Sequence, residues 1–167
     1  MTESAPALTI RPARLADMSA VGRLGAMLVA EHHDFDPQRF LPATADTPKG
    51  YGGYLGTQLE KPGVIVLVAE RDRAVVGYTY AGIEGTDYMA LRGPAGALYD
   101  IVVDPADRRR GVGQALLEAT IAELKQRGAP RVVLSTAARN EPAHRLFARA
   151  GFRRTMIEMT RELGENT

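Results

Sequence analysis

The amino-acid sequence predicts an α/β (α+β) fold, in which helices flank a mixed, mostly antiparallel central sheet of about six strands. Val64 to Ala69 is an almost continuous β-branched run, which is typical of a strand buried on both faces. A second apolar run, Ala74 to Ile83, follows the short turn Arg71 to Arg73 and predicts a hairpin. Gly113 to Arg127 has the apolar spacing of an amphipathic helix. Hairpin strands followed by strand–helix units imply a mixed sheet covered by helices.

The other elements follow from local patterns and from residues that begin or end helices. In chain order they are a strand over Ala7 to Ile10, a helix after Asp17, a short helix over Tyr51 to Leu59, a strand over Leu98 to Val103, a strand over Arg131 to Ser135, a helix between Asn140 and Gly151, and a last strand over Phe152 to Glu162. The glycines in Tyr51 to Leu59 weaken that helix. Glu84 to Gly96 contains three glycines and a proline, so we expect a loop there.

Composition and charge exclude several classes of protein. The 167 residues suit one domain, over residues 1–167, and 45% hydrophobic with 25% charged residues indicates a globular chain. A net charge of +1 gives no general attraction to nucleic acid, and no apolar run approaches the roughly 20 residues that a membrane span needs. Met1 to Leu8 lacks the apolar core of a secretory signal, so we expect a cytoplasmic protein.

The most informative segment is Arg108–Gly113, which lies between a predicted strand and the best predicted helix. Glycine lets a backbone approach a ligand closely, and the free N–H groups at a helix start favour an anion. The three arginines before Gly111 add forked donors that suit phosphate oxygens. The alternative is a tight turn with a solvated basic patch. A P-loop and a dinucleotide fingerprint both fail on spacing, because no Lys-Ser or Lys-Thr occurs and the third glycine position is Leu116.

With these residues in view, the sequence resembles the GNAT superfamily of N-acetyltransferases. Arg108–Gly113 matches the family motif [QR]-x-x-G-x-[GA], and Leu98–Pro105 is similar to the strand that precedes it. The second family signature, a helix led by asparagine and ended by Gly-Phe, is matched by Asn140 and by Gly151-Phe152. The order of elements covers nearly the whole chain.

The resemblance implies acetyl-CoA as the acetyl donor and assigns its contacts residue by residue. The implied cofactor-binding residues are Ile101, Val102 and Val103 for the pantetheine arm, Arg108, Arg109, Arg110, Gly111, Val112, Gly113 and Gln114 for the pyrophosphate, and Asn140, Ala143 and Phe147 beside the pantetheine. The alternative for Asn140 is a plain helix cap, and both roles can hold together.

The implied reaction transfers an acetyl group to a primary amine of a small molecule or peptide. The chain has no cysteine, so we expect direct attack in a ternary complex. Phe147 occupies the position where many family members carry a proton-donating tyrosine. Tyr99 or Tyr80 can replace that donor, and Asp100 or Glu84 can act as the base. The alternatives are a non-catalytic acetyl-CoA-binding sensor and another kind of nucleotide-binding protein.

The acceptor side is less defined by the sequence. The cluster around His33, Asp34 and Asp36 follows the first helix, where the resemblance places an acceptor wall; a solvated loop is the alternative. Tyr80 and the loop at Tyr88 are further candidates. We expect no metal site, since adjacent histidines point apart and no His-x-x-x-His pair occurs. An exposed last strand can pair across a homodimer, whereas nucleic acid and membrane are not expected partners.

Overall fold

The structure is a computed structural model, and it describes residues 7–164. The elements in chain order are β1 (Thr9–Pro12), α1 (Met18–Phe35), α2 (Thr47–Gln58), β2 (Val64–Arg71), β3 (Ala74–Glu84), β4 (Ala95–Val103), α3 (Val112–Gln126), β5 (Val132–Leu134) and α4 (Glu141–Arg149). Single turns of 3₁₀ helix precede α1 and follow β4. The five strands form one sheet in the order β1-β2-β3-β4-β5, antiparallel except between β4 and β5. This confirms the predicted mixed, mostly antiparallel sheet.

The β2–β3 hairpin lies at the centre of the sheet and is buried on both faces. Ile65, Leu67 and Ala69 belong to the core on the α3 face, together with Leu116 and Leu117. The residues between them on β2 point the other way, so that Val68 packs with Val21 and Leu24 beneath α1 and α2. The continuous β-branched run of β2 therefore serves two cores, one on each side of the sheet.

Two glycines allow α1 and α2 to pack backbone against backbone. A Cβ atom added to Gly22 would lie 2.2 Å from the carbonyl oxygen of Pro48, and one added to Gly52 would lie 2.4 Å from that of Met18. No larger residue fits at either contact. Gly52, one of the glycines that weakened the predicted second helix, therefore permits its packing against α1, and α2 begins at Thr47 rather than Tyr51.

The predicted last strand over Phe152 to Glu162 is wrong. These residues follow α4 without joining the sheet, so the described part of the chain has five strands where the sequence predicted about six. A strand needs a neighbour with which to exchange hydrogen bonds, and these residues have none among the described strands. Within residues 7–164, none of the helices combines the length and the apolar character that crossing a bilayer requires.

Candidate functional site

The sheet opens between β4 and β5. The two strands pair in parallel only from Gly96 opposite Val132 to Leu98 opposite Leu134, although β4 continues to Val103. The second half of β4 therefore has β3 on one side and, among residues 7–164, no strand on the other.

Backbone groups of Ile101 and Val103 face this opening. The N–H group of Asp104 points towards β3 and donates to the carbonyl of Val76 at 2.8 Å. Along a strand, the backbone groups of successive residues point to opposite sides. Ile101 and Val103 therefore point away from β3, whereas the backbone of Val102 points towards it. The carbonyl of Val103 accepts a hydrogen bond from Nε of Arg108 at 3.1 Å. The N–H group of Val103 points to the same open side.

A cavity of about 440 Å³ occupies the opening. Its walls come from four places: the end of α1 with the following loop, the middle of β4, the residues after β5, and α4. The lining residues are Leu28, Val29, His32, Arg39, Phe40, Leu41, Leu98, Tyr99, Asp100, Ile101, Leu134, Ser135, Thr136, Asn140, Ala143 and Phe147. We call this cavity the β4–β5 cleft.

The segment Arg108–Gly113 forms a tight turn that leads into α3. Arg109 and Gly111 have φ angles of +64° and +78°, and Gly111 is the N-cap residue of the helix. Among residues 7–164, no backbone carbonyl accepts from the N–H groups of Arg109 to Gln114; the first such bond in α3 runs from Ala115 to Gly111, at 3.0 Å. A row of free N–H groups at a helix start is an anion site.

The three arginines of this turn have different partners. Arg108 forms an ion pair with Glu31 at 2.8 Å, and Arg110 lies 3.8 Å from Asp107. Arg109 makes no ion pair with any residue that the structure describes. Arg108 thus joins α1 to the turn, whereas the guanidinium group of Arg109 remains available to bind another anion. The side chain of Gln114 bonds to Glu118 instead, at 2.9 Å.

Asp100 is a half-buried carboxyl group in the wall of the β4–β5 cleft. Its Oδ2 accepts hydrogen bonds from the hydroxyl groups of Tyr51, at 2.6 Å, and Tyr78, at 3.1 Å. Burial raises the pKa of Asp100, although the bonds from the two tyrosines oppose this by stabilising the carboxylate. No described residue donates a hydrogen bond to Oδ1 of Asp100, and this oxygen is not a buried unsatisfied atom. It is therefore accessible from the cleft.

A group of three tyrosines, Tyr54, Tyr80 and Tyr99, lies beside Asp100. The ring centroids of Tyr54 and Tyr80 are 6.4 Å apart, and those of Tyr80 and Tyr99 are 4.8 Å apart. Tyr99 donates to Glu84 at 2.7 Å, and Arg92 pairs with the same carboxylate. Burial, together with the hydrogen bond to Glu84, raises the pKa of Tyr99 to about 12, so that its hydroxyl keeps its proton at neutral pH.

The helix α4 forms the wall opposite β4. Asn140 caps it, because Oδ1 accepts from the N–H of Ala143 at 3.2 Å, and its side chain also lines the cleft. Phe147 is 6% exposed and packs against Phe152, with ring centroids 5.8 Å apart. Ala143 lies between them on the same wall.

The structure places the other predicted acceptor residues away from the cleft. His33 is bound to the carbonyl of Phe40 at 2.8 Å, Asp34 is exposed, and Tyr88 is 82% exposed on the loop after β3. Instead His32 faces the cleft, and its Nδ1 lies 2.9 Å from the carbonyl oxygen of Leu28. The spacing of Leu28 and His32, four residues apart on one helix, was the sequence signal for this face.

The loop after α1 supplies Arg39, Phe40 and Leu41 to the cleft, and no local pattern predicted this. Arg39 is paired with Glu158 from the far end of the chain, Nη2 to Oε2 at 3.0 Å. Within residues 7–164 no group of three or more histidine, cysteine or acidic residues has the arrangement of a metal site.

Comparison with known proteins identifies relatives for most of the chain. Residues 26–152 match the Acetyltransferase (GNAT) family. A mycothiol acetyltransferase of Thermobispora bispora is 36% identical over 97 residues, which are 56% of this chain but only 31% of that protein. The chain thus corresponds to less than a third of that relative's length.

Solved structures of similar fold cover almost all of both chains. A mutant of a Bacillus halodurans protein superposes with a TM-score of 0.80 and 22% identity, over 93% of this chain and 99% of that one. A predicted acetyltransferase from Clostridium acetobutylicum, solved with acetyl-CoA, gives a TM-score of 0.70 and 16% identity, over 94% and 97%. The family match covers most of the chain and includes the β4–β5 cleft and the arginine–glycine turn, and the protein therefore belongs to the Acetyltransferase (GNAT) family.

Proposed function

We propose that the protein is an acetyl-CoA-dependent N-acetyltransferase that moves the acetyl group to a primary amine of a small molecule or peptide by direct attack in a ternary complex. One observation carries this proposal. The open edge of β4 runs directly into the turn whose free N–H groups begin α3, so one extended ligand with a peptide-like arm and a pyrophosphate can contact both.

On the donor side, backbone groups do most of the binding. The free N–H groups of Ile101 and Val103 bond to the amides of the pantetheine arm as they would to a neighbouring strand. The N–H groups from Arg109 to Gln114 hold the pyrophosphate, and the unpaired guanidinium of Arg109 adds charge. The spare amide group of Asn140 faces the arm from α4. The related Clostridium acetobutylicum structure holds acetyl-CoA, which supports this assignment.

Asp100 is the proposed general base. Acetyl transfer requires the acceptor amine to lose its proton, and the accessible Oδ1 of Asp100 lies next to Ile101, where the thioester would end. A raised pKa makes a carboxylate a stronger base than an exposed one. Tyr51 and Tyr78 fix the orientation of the carboxylate through Oδ2 and act as positioning residues.

Glu84 and Tyr99 take supporting roles in this account. The carboxylate of Glu84 is held by both Arg92 and Tyr99, and is therefore less free to accept a proton than that of Asp100. Tyr99 lines the cleft and is the candidate proton donor to the departing thiolate, but its hydroxyl already donates to Glu84, and its raised pKa makes it a weaker acid than an ordinary tyrosine. It would supply the hydroxyl that Phe147 lacks.

The acceptor would enter along the tyrosines. Tyr54 and Tyr99 are 55% and 44% exposed, and Tyr80 lies between them, so the three rings offer π faces to a cationic group beside the carboxylate of Asp100. An ammonium substrate fits this surface better than an anionic one.

A second candidate function is a non-catalytic acetyl-CoA-binding sensor. The observation that favours it is Phe147, a buried ring where a hydroxyl group would serve catalysis. The two functions make the same prediction for acetyl-CoA binding and opposite predictions for turnover.

The deciding experiment measures thiol release from acetyl-CoA in the presence of a panel of primary amines, with mass spectrometry of the products. We expect acetylated product for at least one cationic amine, and its loss in Asp100→Asn. Tight acetyl-CoA binding with no amine-dependent thiol release across the panel would overturn the enzyme assignment in favour of the sensor.

A further inference from the structure

The β4–β5 cleft has one carboxylate oxygen that is free to receive an ammonium group. Asp100 is the only acidic side chain among the described residues that line the cleft, and no described residue donates to its Oδ1. Its other oxygen accepts from Tyr51 and Tyr78. The cleft therefore offers a single position for a cationic nitrogen.

The acidic residues beside the cleft are already paired. Glu84 accepts from Tyr99 through one carboxylate oxygen and from Arg92 through the other. The two further pairs are Glu31, which precedes the cleft-lining His32, with Arg108, and Glu158 with Arg39. Arg39 itself lines the cleft, so a second cationic group of a substrate would meet a guanidinium there. Among residues 7–164, a diamine would thus find a carboxylate for only one of its two charges.

The ring of Tyr99 forms a fixed aromatic wall beside Asp100. It lies over Gly82, where an added Cβ atom would be 3.3 Å from Cε2 of the ring and 3.2 Å from the hydroxyl oxygen. The hydroxyl is bonded to Glu84, and the ring of Tyr80 packs against that of Tyr99. Because the protein holds the ring in this position, little conformational freedom is lost when an apolar group packs on it.

The phenol hydroxyl groups of the site are used within the protein. Three of them donate to Asp100 or Glu84. Those of Tyr54 and Tyr80 are 3.4 Å apart and bond to each other. These donors are not free for the hydroxyl groups of a sugar, and a polar group that loses water without a new partner weakens binding. A substrate body without hydrogen-bonding groups has no such penalty.

The surface around Asp100 is also apolar and open to solvent. Leu41 lines the cleft and is 81% exposed, so it lies at the mouth. Tyr54 and Tyr99 are each about half exposed. Exposed apolar side chains beside a cleft are typical of a surface that a ligand covers.

We propose that the acceptor is a monoamine with an aromatic or alicyclic body: its ammonium group binds Asp100, and its apolar body packs on Tyr54, Tyr80 and Tyr99. This inference rests on the proposed function, because it names the class of amine that the same site takes. One free carboxylate oxygen selects against a second positive charge, and the apolar wall selects against a body rich in hydroxyl groups. Polyamines and amino sugars are therefore poor acceptors.

Steady-state kinetics with matched amines tests this class. We expect kcat/KM for 2-phenylethylamine to exceed that for glucosamine by about tenfold or more, because only the first has an apolar body. We expect kcat/KM for pentylamine to exceed that for 1,5-diaminopentane by about fivefold, since the two differ only in the second charge. A preference for glucosamine or 1,5-diaminopentane would overturn the inference and leave the proposed reaction intact.

A carboxylate added at the mouth should relax the selection by charge. In Leu41→Glu, the ratio of kcat/KM for 1,5-diaminopentane to that for pentylamine should rise about fivefold. Leu91→Glu is the matched control, because Leu91 is 92% exposed on the loop after β3 and the substitution adds the same charge. An unchanged ratio in Leu41→Glu, or an equal rise in both variants, would contradict the proposed position of the acceptor.

Removal of one ring tests the selection for an apolar body. Tyr54→Ala should lower kcat/KM for 2-phenylethylamine about fivefold and leave that for glucosamine unchanged. Tyr88→Ala is the control, since Tyr88 is an exposed tyrosine on the loop after β3. Equal losses for the two amines in Tyr54→Ala would overturn the contact between this ring and the acceptor.

Calorimetry with the same amines separates this inference from the proposed reaction. If no amine is acetylated but 2-phenylethylamine still binds more tightly than glucosamine and 1,5-diaminopentane, the reaction is wrong and the class of ligand is confirmed. If neither turnover nor binding favours 2-phenylethylamine, the inference is overturned.

Discussion

The hydroxyl group of Tyr51 donates a hydrogen bond to Oδ2 of Asp100 over 2.6 Å, and this contact joins α2 to the middle of β4. The ring of Tyr51 fits there because residue 25 of α1 is glycine: a Cβ atom on Gly25 would lie 2.2 Å from the ring. The close packing of the two helices thus sets the position of the proposed base.

Removing the Tyr51 hydroxyl should change the pH dependence of turnover. The bond stabilises the charged form of Asp100, so Tyr51→Phe should raise the pKa of this carboxyl further and move the acid limb of the kcat/KM profile to higher pH. Tyr54→Phe is the control, since its hydroxyl contacts Tyr80 and not Asp100. A profile that is unchanged, or shifted to lower pH, in Tyr51→Phe would contradict the role of Asp100 as base.

Substitution of the two candidate carboxylates should have unequal effects. Asp100→Asn should lower kcat by about 100-fold or more, because general-base catalysis contributes on that scale. Glu84→Gln should reduce kcat much less, since Arg92 and Tyr99 already occupy that carboxylate. Steady-state kinetics with the best acceptor amine measures both. The reverse ranking would identify Glu84 as the base.

Glycine at the contact between α1 and α2 should be essential for stability. Gly22→Ala should lower the free energy of unfolding by about 3 kcal/mol, since the new methyl group would overlap the carbonyl of Pro48. Gly53→Ala on the outer face of α2 meets nothing within 4 Å and should raise it by about 0.5–1 kcal/mol. Urea denaturation measures the pair, and a stable Gly22→Ala protein would refute the packing account.

The free guanidinium of the turn should contribute to donor affinity. Arg109→Ala should raise the Kd for acetyl-CoA about tenfold at low salt, and the difference should shrink at high ionic strength. Lys61→Ala, which precedes β2 at the opposite end of the sheet, is the matched control and should leave the Kd unchanged. Equal effects of the two substitutions would mean that Arg109 acts only through net charge.

The sequence predicted those features that depend on neighbouring residues. The β2–β3 hairpin is specified by one apolar run, a short turn and a second apolar run. The turn before α3 is specified likewise, because Gly111 adopts a positive φ angle between a strand and a helix. Local signals of this kind need no knowledge of the rest of the fold.

Contacts between residues far apart in the chain could not be predicted from the sequence. Tyr51 and Asp100 lie 49 residues apart in the chain, and nothing local links them. Helix propensity counts every glycine of α2 as a weakness, although Gly52 permits the packing with α1. Of the two adjacent histidines, His32 lines the cleft and His33 does not, because successive residues on a helix point about 100° apart.

The residues after α4 show a different limit. The sequence predicted a last strand over Phe152 to Glu162, but these residues join none of the described strands. The residues of a segment do not say by themselves which strand lies beside it.

The central claim is that the turn before α3 and the open edge of β4 bind acetyl-CoA. Calorimetry of the wild type, Gly111→Asn and Gly111→Asp tests it most directly, because both new residues tolerate a positive φ angle and only one adds negative charge. We predict that the wild type binds acetyl-CoA in preference to ATP and NAD, and that Gly111→Asp binds it more than about 100-fold less tightly than Gly111→Asn. Equal affinities of the two variants, or a wild-type preference for ATP or NAD, would contradict the claim.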